Sequence, residues 1–323
     1  MRVLVVTNLT PDESTPQRGR WVDDQVKALG RHGVEAELFR FPLGKSRYLP
    51  ATRRLRRLLR RESFDLVHAH YGLAGWCARL AGAKPLLVTF HGTDVRDRTV
   101  GILSRRLATR VQLCAAVSRA LFGPEAGRPG LPAPQGRSAV LPCGPDLERF
   151  RPQPRAEARR ALGLDPEGRY LLFPADPSRP EKRHDRAAEL ARVIGVELLT
   201  GGSIEPDLMP LWVNAANAVL LTSEYEGFGL VALESLACEV PVLSTPVGIA
   251  PHALRGIPGC LVAPFDLAVW SEALRPQLDS PDGRVPGSRR AASFSAERMA
   301  ERVLVAYREV LDDANGPAWL RSG

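Results

Sequence analysis

Short apolar runs alternate with longer amphipathic stretches along the whole chain. The runs in the first half are Val3–Thr7, Val34–Phe39, Leu66–Ala69, Leu86–Phe90, Cys114–Val117 and Ala139–Pro142. Those in the second half are Tyr170–Pro174, Val196–Leu199, Ala218–Thr222, Pro241–Thr245 and Cys260–Ala263. Most runs are apolar at consecutive rather than alternate positions, which is typical of parallel strands covered by helices on both faces. The pattern therefore predicts an α/β protein.

These runs would make a very long single sheet, so we expect two doubly wound, Rossmann-like domains facing a cleft. The segment Asp146–Arg169 is polar, contains prolines and lacks a strand pattern, which favours a boundary there. We predict domains at residues 1–155 and 156–300, with a C-terminal helix and tail at 301–323. Apolar residues recur at helical spacing in Ser295–Asp312, so this helix should pack on a domain, with a return to the first one expected. The segment Leu274–Arg290 is predicted to be rich in loops.

The composition is that of a globular protein, because 44% of the 323 residues are hydrophobic and 25% are charged. No apolar run approaches the length that spans a bilayer. The N-terminus enters a strand without a secretory cleavage site, so we expect a cytoplasmic protein. Five cysteines are scattered without a C-x-x-C pair, which favours reduced, packed thiols over disulfides or zinc ligands.

The formal net charge is +8, carried almost entirely by arginine. A basic balance favours an anionic partner, although an arginine-rich chain also fits a GC-rich genome. The most basic stretch, Ala51–Asp65, sets six arginines around leucines that share one helical face: Arg53, Arg54, Arg56, Arg57, Arg60 and Arg61. Two interpretations remain open, a peripheral contact with an anionic membrane and a surface helix docked by its leucines. Nucleic acid is not the expected partner.

The segment Leu220–Gly248 holds the most informative pattern. A helix is predicted from Gly229 to a point before Pro241, and it is apolar on nearly every side, which indicates burial. Glu234 would then be a lone acid in an apolar place, so a hydrogen-bonding partner is required. Glycines at the helix start let a ligand approach free N–H groups that favour an anion. A phosphate there and a diol at the acid would together describe a nucleotide.

Histidines and cations follow other predicted strands, where ligands of open α/β sheets collect. His91 ends a strand and is followed by glycine, which favours a ligand-binding or catalytic role, whereas packing is favoured for His68 and His70. Arg179 and Lys182 follow the first strand of the second domain and could neutralise a diphosphate leaving group. No D-x-D is present, so we expect no metal. The G-x-G-x-x-G of dinucleotide enzymes is also missing after the first strand, where the loop has a single Gly19.

These pieces resemble the family 4 retaining glycosyltransferases of GT-B fold over nearly the full chain. The matching motifs are "FDLVHAHYGLAG", "PLLVTFHGTDV", "AAVSRAL", "VLPCGPDLERFRP", "SRPEK" and "EGFGLVALESLACEVPVLSTPVG". The short second domain looks most like enzymes of bacterial cell-surface polysaccharides, such as the teichuronic acid type. The resemblance implies a metal-independent enzyme that moves a sugar from a nucleotide-diphosphate sugar, UDP-linked in preference to GDP-linked. The acceptor would be a glycan, a lipid-linked molecule or a small molecule, at the inner face of the cell membrane.

The resemblance also assigns roles residue by residue. His91 and Glu226 would act at the transferred sugar, and Glu234 would bind the ribose diol. The remaining donor-binding residues would be Gly19, Arg179, Lys182, Gly227, Phe228, Gly229 and Leu230. The leaving phosphate would help to deprotonate the acceptor, so no protein nucleophile is expected.

The chain departs from the family pattern at several positions. Arg179 stands three residues before Lys182 where the family has five, Glu239 replaces a glycine, and Gly248–His252 replaces "GG-x-x-E". One βα unit before Val196 is missing. A non-catalytic nucleotide-sugar-binding protein on the same fold is therefore the alternative, and a Rossmann oxidoreductase is disfavoured by the missing glycine motif.

Overall fold

Two parallel sheets organise the chain in a computed structural model that describes residues 1–12, 15–124, 129–133 and 137–314. The contacts divide the chain into two units. The first comprises Met1–Thr10, Trp21–Cys143 and Glu297–Gly323, and the second comprises Pro11–Arg20 and Gly144–Ala296. The predicted α/β class with two doubly wound sheets is confirmed.

The sheet of the first unit has six strands in the order β2-β1-β3-β4-β5-β6, all parallel. They are β1 Arg2–Thr7, β2 Glu35–Arg40, β3 Leu66–His70, β4 Leu86–Phe90, β5 Leu113–Ala116 and β6 Ser138–Val140. Its helices are α1 Arg20–Arg31, α2 Tyr48–Arg61, α3 Gly72–Ala81, α4 Thr93–Arg96 and α5 Val100–Ala108, with short 3-10 turns at Lys45–Arg47 and Arg119–Phe122. The central strands are buried from end to end, as continuous apolar runs require.

The sheet of the second unit has five parallel strands in the order β11-β10-β9-β7-β8. They are β7 Tyr170–Phe173, β8 Glu197–Thr200, β9 Ala218–Leu221, β10 Val242–Ser244 and β11 Leu261–Val262. The helices are α6 Arg155–Ala161, α7 His184–Ile194, α8 Met209–Ala215, α9 Leu230–Ala237, α10 Ala250–Ala253, α11 Leu267–Asp279 and α12 Ser288–Ala292, with a 3-10 turn at Pro180–Lys182. Leu171, Phe173, Leu190 and Trp270 form the centre of one core cluster.

The last helix, α13 (Ala296–Ala314), belongs to the first unit from Glu297 onward, as the predicted return to that domain requires. The Tyr307 hydroxyl lies 2.8 Å from Nδ1 of His68 on β3, and both side chains are fully buried. Residues 315–323 of the expected tail lie outside the described residues.

The contacts place the division between the units at Cys143 and Gly144, earlier than the boundary expected at residue 155. Two buried guanidinium groups on α6 explain why this helix belongs to the second unit. Arg155 donates to the carbonyl oxygens of Ser280, Pro281 and Gly283 at 2.9–3.1 Å. Arg159 donates to the Ala215 carbonyl and to Asn217 Oδ1. The polar residues of α6 therefore form buried hydrogen bonds within the second unit and are not part of a linker.

The prediction of loops over Leu274–Arg290 is wrong in part, because α11 continues to Asp279 and α12 begins at Ser288. The side chain of Asp266 caps α11 by accepting from the Val269 amide at 2.9 Å. Trp270, Leu274 and Leu278 then bury one helical face. This burial outweighs the break expected from Pro276, which lies inside the helix.

Glu239 occupies a left-handed backbone position with φ 58° directly after the C-cap of α9. Glycine is the usual residue at such a position because a Cβ atom costs roughly 1 kcal/mol there. The left-handed backbone therefore explains why the family pattern has a glycine at this position. No structural feature of the described residues explains the glutamate.

We therefore predict that Glu239→Gly stabilises the protein by roughly 1 kcal/mol, which is about 2–4 °C in Tm for a domain of this size. Glu239→Ala is the matched control, because alanine removes the same charge but keeps the Cβ atom. Thermal unfolding followed by circular dichroism measures both. An equal rise in Tm for the alanine variant would assign the gain to charge and contradict the backbone explanation.

Candidate functional site

A cavity of about 210 Å³ opens in the second unit at the carboxyl ends of β7 and β9. This is the edge at which parallel sheets collect ligands. Five of the predicted donor-site residues line it: Arg179, Lys182, Glu226, Gly229 and Leu230. Sequence regions far apart along the chain therefore meet at one place.

An ion pair between Lys182 and Glu226 forms the wall of this cavity. Lys182 Nζ lies 2.5 Å from Glu226 Oε1, and each side chain is only 13% exposed. The Ser223 hydroxyl donates to the same carboxylate oxygen at 2.8 Å. Because a half-buried charge without a partner is costly, the two charged groups hold each other beside the cavity.

Backbone contacts fix the position of Lys182. The Thr222 hydroxyl lies 3.0 Å and 2.9 Å from the carbonyl oxygens of Lys182 and Arg183. The Glu224 amide donates to the Glu181 carbonyl at 2.9 Å. Arg183 itself has φ 54°, a strained conformation for a residue other than glycine. The turn that carries Lys182 is thus tied to the loop that carries Glu226.

Glycines let the Glu226 loop fold against its neighbour. Gly229 caps α9 with φ 81° and the Gly248 backbone has φ 55°. A Cβ atom on Gly248 would lie 2.3 Å from the Phe228 carbonyl oxygen, so only glycine fits. The Ile249 amide donates to that same oxygen at 2.7 Å. The segment after β10 therefore supports the loop before α9.

Helix α9 differs from the fully buried helix that its sequence predicts. Leu230, Val231 and Glu234 are half-buried, whereas Ala232, Leu233 and Leu236 are buried. The expectation of a buried, lone Glu234 carboxylate is therefore wrong, because residues at these spacings share one open helical face. Leu230 and Val231 of this face line the cavity. The N-terminus of α9 therefore lies at the cavity, and its free backbone N–H groups favour an anion there.

The other predicted donor residues lie in several different settings. Arg179 lines the cavity but is half exposed, and its guanidinium pairs with Glu181 at 2.6 Å. Phe228 is buried at 7% exposure, and neither it nor Gly227 lines the cavity. Gly19, with φ 78°, is buried and belongs to the second unit with the loop Pro11–Arg20.

A histidine cluster lies at the carboxyl ends of β3 and β4 in the first unit. His68 and His70 are fully buried, as their predicted packing roles require, and His91 is 8% exposed. His68 Nε2 lies 2.8 Å from the Thr89 hydroxyl, and His70 Nδ1 lies 3.1 Å from His91 Nε2. Burial lowers the pKa of His68 to about 3 and lowers the pKa of His70 and His91 well below the usual value, with a further contribution from neighbouring imidazoles for the latter two. All three rings are therefore neutral at pH 7.

Sequence reasoning missed several residues of both sites. Ser223 orients Glu226, and Asp94 accepts from the backbone amides of His91, Gly92 and Gly72 at 2.9–3.0 Å. Asp94 stands in the first turn of α4, where a carboxylate can accept from nearby backbone amides, so it could have been found from the sequence. Trp21 and Tyr71, whose rings lie against His91, carry no such local signal.

Two family models match most of this chain. Residues 1–149 match "Glycosyltransferase Family 4", and residues 174–280 match "Glycosyl transferases group 1". The chain is 31% identical over 320 residues to the D-inositol 3-phosphate glycosyltransferases of Mycobacterium tuberculosis and Mycobacterium bovis. Both matched models and both of these relatives are glycosyltransferases, so the chain resembles this class over most of its length.

The match covers 80% of this chain but 65% of the mycobacterial relatives, so the chain spans less than two thirds of their length. Solved structures of low identity share its fold. Sucrose-phosphate synthase from Thermosynechococcus elongatus aligns with a TM-score of 0.71 at 18% identity, over 97% of this chain and 100% of that one. Anabaena HepE in complex with UDP-glucose aligns with a TM-score of 0.62 at 17% identity, over 98% and 99%. The GT-B fold is thus confirmed, whereas the likeness to teichuronic acid enzymes stays a prediction.

We predict that the protein loses stability as pH falls from about 6.5 to 4. A histidine with a lowered pKa stays neutral in the folded state but binds a proton when unfolded, so acid favours unfolding. His68 alone should lower the free energy of unfolding by about 2 kcal/mol between pH 6.5 and 5. Asp94 acts in the opposite direction between about pH 6 and 4, since burial raises its pKa to about 6. The three histidines should outweigh it.

Urea unfolding at several pH values measures this dependence. His68→Gln removes one titrating ring and keeps groups that can bond to Tyr307 and Thr89, so the loss below pH 6.5 should become shallower. An unchanged slope in that variant, or a wild-type protein that becomes more stable in acid, would contradict the assignment.

Proposed function

We propose that this chain is a retaining, metal-independent glycosyltransferase that uses a nucleotide-diphosphate sugar, UDP-linked in preference to GDP-linked. The observation that carries the proposal is the Lys182–Glu226–Ser223 arrangement beside the N-terminus of α9 at one cavity. A cation and a helix N-terminus suit a diphosphate, and a carboxylate next to them suits sugar hydroxyls. The matches to glycosyltransferase family models support the reaction class, and solved structures bound to UDP and UDP-glucose share the same fold.

In the proposed reaction the bond from the sugar C1 to the β-phosphate oxygen breaks. A bond from C1 to the acceptor oxygen forms on the same face, and the acceptor proton passes to the leaving phosphate. Negative charge grows on that phosphate, so Lys182, Arg179 and the first turn of α9 would stabilise it. Glu226 and His91 would bind the moving sugar, and Glu234 the ribose diol. The acceptor is a glycan, a lipid-linked molecule or a small molecule.

Glu226→Gln separates sugar transfer from diphosphate binding. We expect kcat to fall at least 100-fold, since the neutral amide cannot accept hydrogen bonds from the sugar in the same way as the carboxylate. UDP affinity should be retained or should increase, because Lys182 is released from its ion pair. Glu272→Gln on the exposed side of α11 is the matched control.

Thermal shift with UDP-, GDP-, dTDP- and ADP-sugars first identifies the donor, since a ligand of the folded state raises Tm. Transfer and hydrolysis of the best donor are then measured in the presence and absence of EDTA. Full transfer by Glu226→Gln would refute the role of this glutamate. Donor binding without transfer or hydrolysis would support the non-catalytic alternative.

We propose further that the glycosyltransferase contacts an anionic membrane through α2. Six arginines of this helix are exposed, and none forms an ion pair with another described residue: Arg53, Arg54, Arg56, Arg57, Arg60 and Arg61. Leu55 is buried and Leu49, at the helix start, is 58% exposed. Each basic residue near an anionic surface contributes about 1 kcal/mol. Among the described residues, no helix has the length and apolarity needed to cross a bilayer.

The triple variant R53E/R57E/R60E changes three arginines on one helical face whose side chains form no hydrogen bond or ion pair with another described residue. We expect it to lose binding to vesicles of phosphatidylcholine with 30% anionic phosphatidylglycerol, by at least tenfold at about 0.1 M salt. R160E/R192E/R275E changes three exposed arginines of the second unit by the same charge and serves as control. Co-sedimentation measures the binding to vesicles. Equal binding of both variants would contradict the membrane contact and show that α2 is an ordinary surface helix.

A further inference from the structure

We propose that Tyr71 and Asp94 are positioning residues for the imidazole of His91. Tyr71 supplies a ring that stacks on the imidazole, and Asp94 ties together the two loops that carry them. The inference deepens the proposed function, since it rests on a role for His91 at the transferred sugar. Both residues lie in the first unit, at the carboxyl ends of β3 and β4.

Aromatic rings enclose the His91 imidazole. The Tyr71 ring lies 4.7 Å from it, centroid to centroid, at an interplanar angle of 25°. The indole of Trp21 lies 4.2 Å away at 39°. The stacked tyrosine ring and the tilted indole, both at this short spacing, leave the imidazole little freedom to rotate. His70 Nδ1, at 3.1 Å from His91 Nε2, restrains the ring edge as well.

The backbone of Tyr71 has a strained conformation. Its φ of 75° with ψ of 145° is a conformation that glycine adopts readily and other residues avoid. Only Arg183 and Glu239 share a positive φ among the described residues other than glycine. Such strain persists where the surrounding structure enforces it, and it is concentrated at functional sites. A tyrosine rather than glycine here indicates that the ring itself is needed.

Asp94 holds the strained loop against the histidine loop. One carboxylate oxygen accepts from the amides of His91 and Gly92, and the other accepts from the amide of Gly72, which follows Tyr71. The carboxylate is 5% exposed, and the Ser104 hydroxyl donates to the Asp94 carbonyl at 2.6 Å. A Cβ atom on Gly72 would lie 2.1 Å from Ser104 Oγ, so the loop approaches closely. Both carboxylate oxygens of Asp94 must therefore act as hydrogen-bond acceptors to hold the two loops together.

Substitutions at Tyr71 separate the ring from the backbone. Tyr71→Leu keeps a Cβ atom and the same backbone strain but removes the ring, whereas Tyr71→Phe keeps the ring. Asp94→Asn keeps the shape but places an N–H group where an acceptor is needed. We expect Tyr71→Leu and Asp94→Asn to lower kcat at least tenfold with less than a threefold change in donor KM. Tyr71→Phe should retain a kcat within threefold of the wild-type value.

Long-range ¹H–¹⁵N spectra of the histidine rings provide a readout that does not depend on turnover. The His91 signals are assigned by their loss in His91→Gln. In Tyr71→Leu and Asp94→Asn these signals should shift or broaden, while those of His184 and His252 in the second unit stay in place. Circular dichroism and Tm are recorded for every variant at the assay temperature, so a loss of folding is recognised.

Unchanged His91 signals in folded Tyr71→Leu and Asp94→Asn would overturn the proposal, as would a loss of kcat in Tyr71→Phe as large as in Tyr71→Leu. If the wild-type chain transfers no sugar from any donor, the proposed function fails. The ring spectra then still decide whether Tyr71 and Asp94 position His91. The two failures are therefore distinguishable.

Discussion

The ion pair between Lys182 and Glu226 is the constraint on which the second unit's site depends. Two charges that are mostly removed from water must stay together, and the structure keeps them 2.5 Å apart with Ser223 as a third partner. To do so, it strains Arg183, ties the Lys182 turn through Thr222, and requires a glycine at 248. The cations and the carboxylate are thereby set before any ligand arrives, so little reorganisation is needed on binding.

The first unit also holds one side chain, that of His91, in a fixed position through buried contacts, but this side chain is uncharged. His91 is neutral because burial and neighbouring imidazoles lower its pKa, and it is held by rings and by a backbone clamp rather than by a charge. A neutral imidazole can donate or accept a hydrogen bond at a sugar hydroxyl without adding charge. The first unit therefore holds an uncharged, positioned ring, whereas the second holds a paired cation and carboxylate.

The sequence predicted the strands well because each buried parallel strand is a short apolar run, and the motif residues around Lys182 and Glu226 follow such runs directly. It could not predict that Glu234 lies on an open face of α9, since an apolar helix with one acid gives no direction. It also missed Tyr71 and Trp21, whose rings reach His91 only through the packing of β3, β4 and α1. The buried arginines of α6 looked like a linker because guanidinium groups bonded to carbonyls are indistinguishable in sequence from solvated ones.

We propose that the cavity lined by Lys182 receives the diphosphate of a nucleotide sugar. Isothermal titration of UDP into the wild type and into Lys182→Met tests it most directly, with Lys45→Met as an exposed control of equal charge change. We predict saturable binding to the wild type and to the control, and at least tenfold weaker binding to folded Lys182→Met. Equal UDP affinity in all three proteins would place the diphosphate elsewhere and contradict the account.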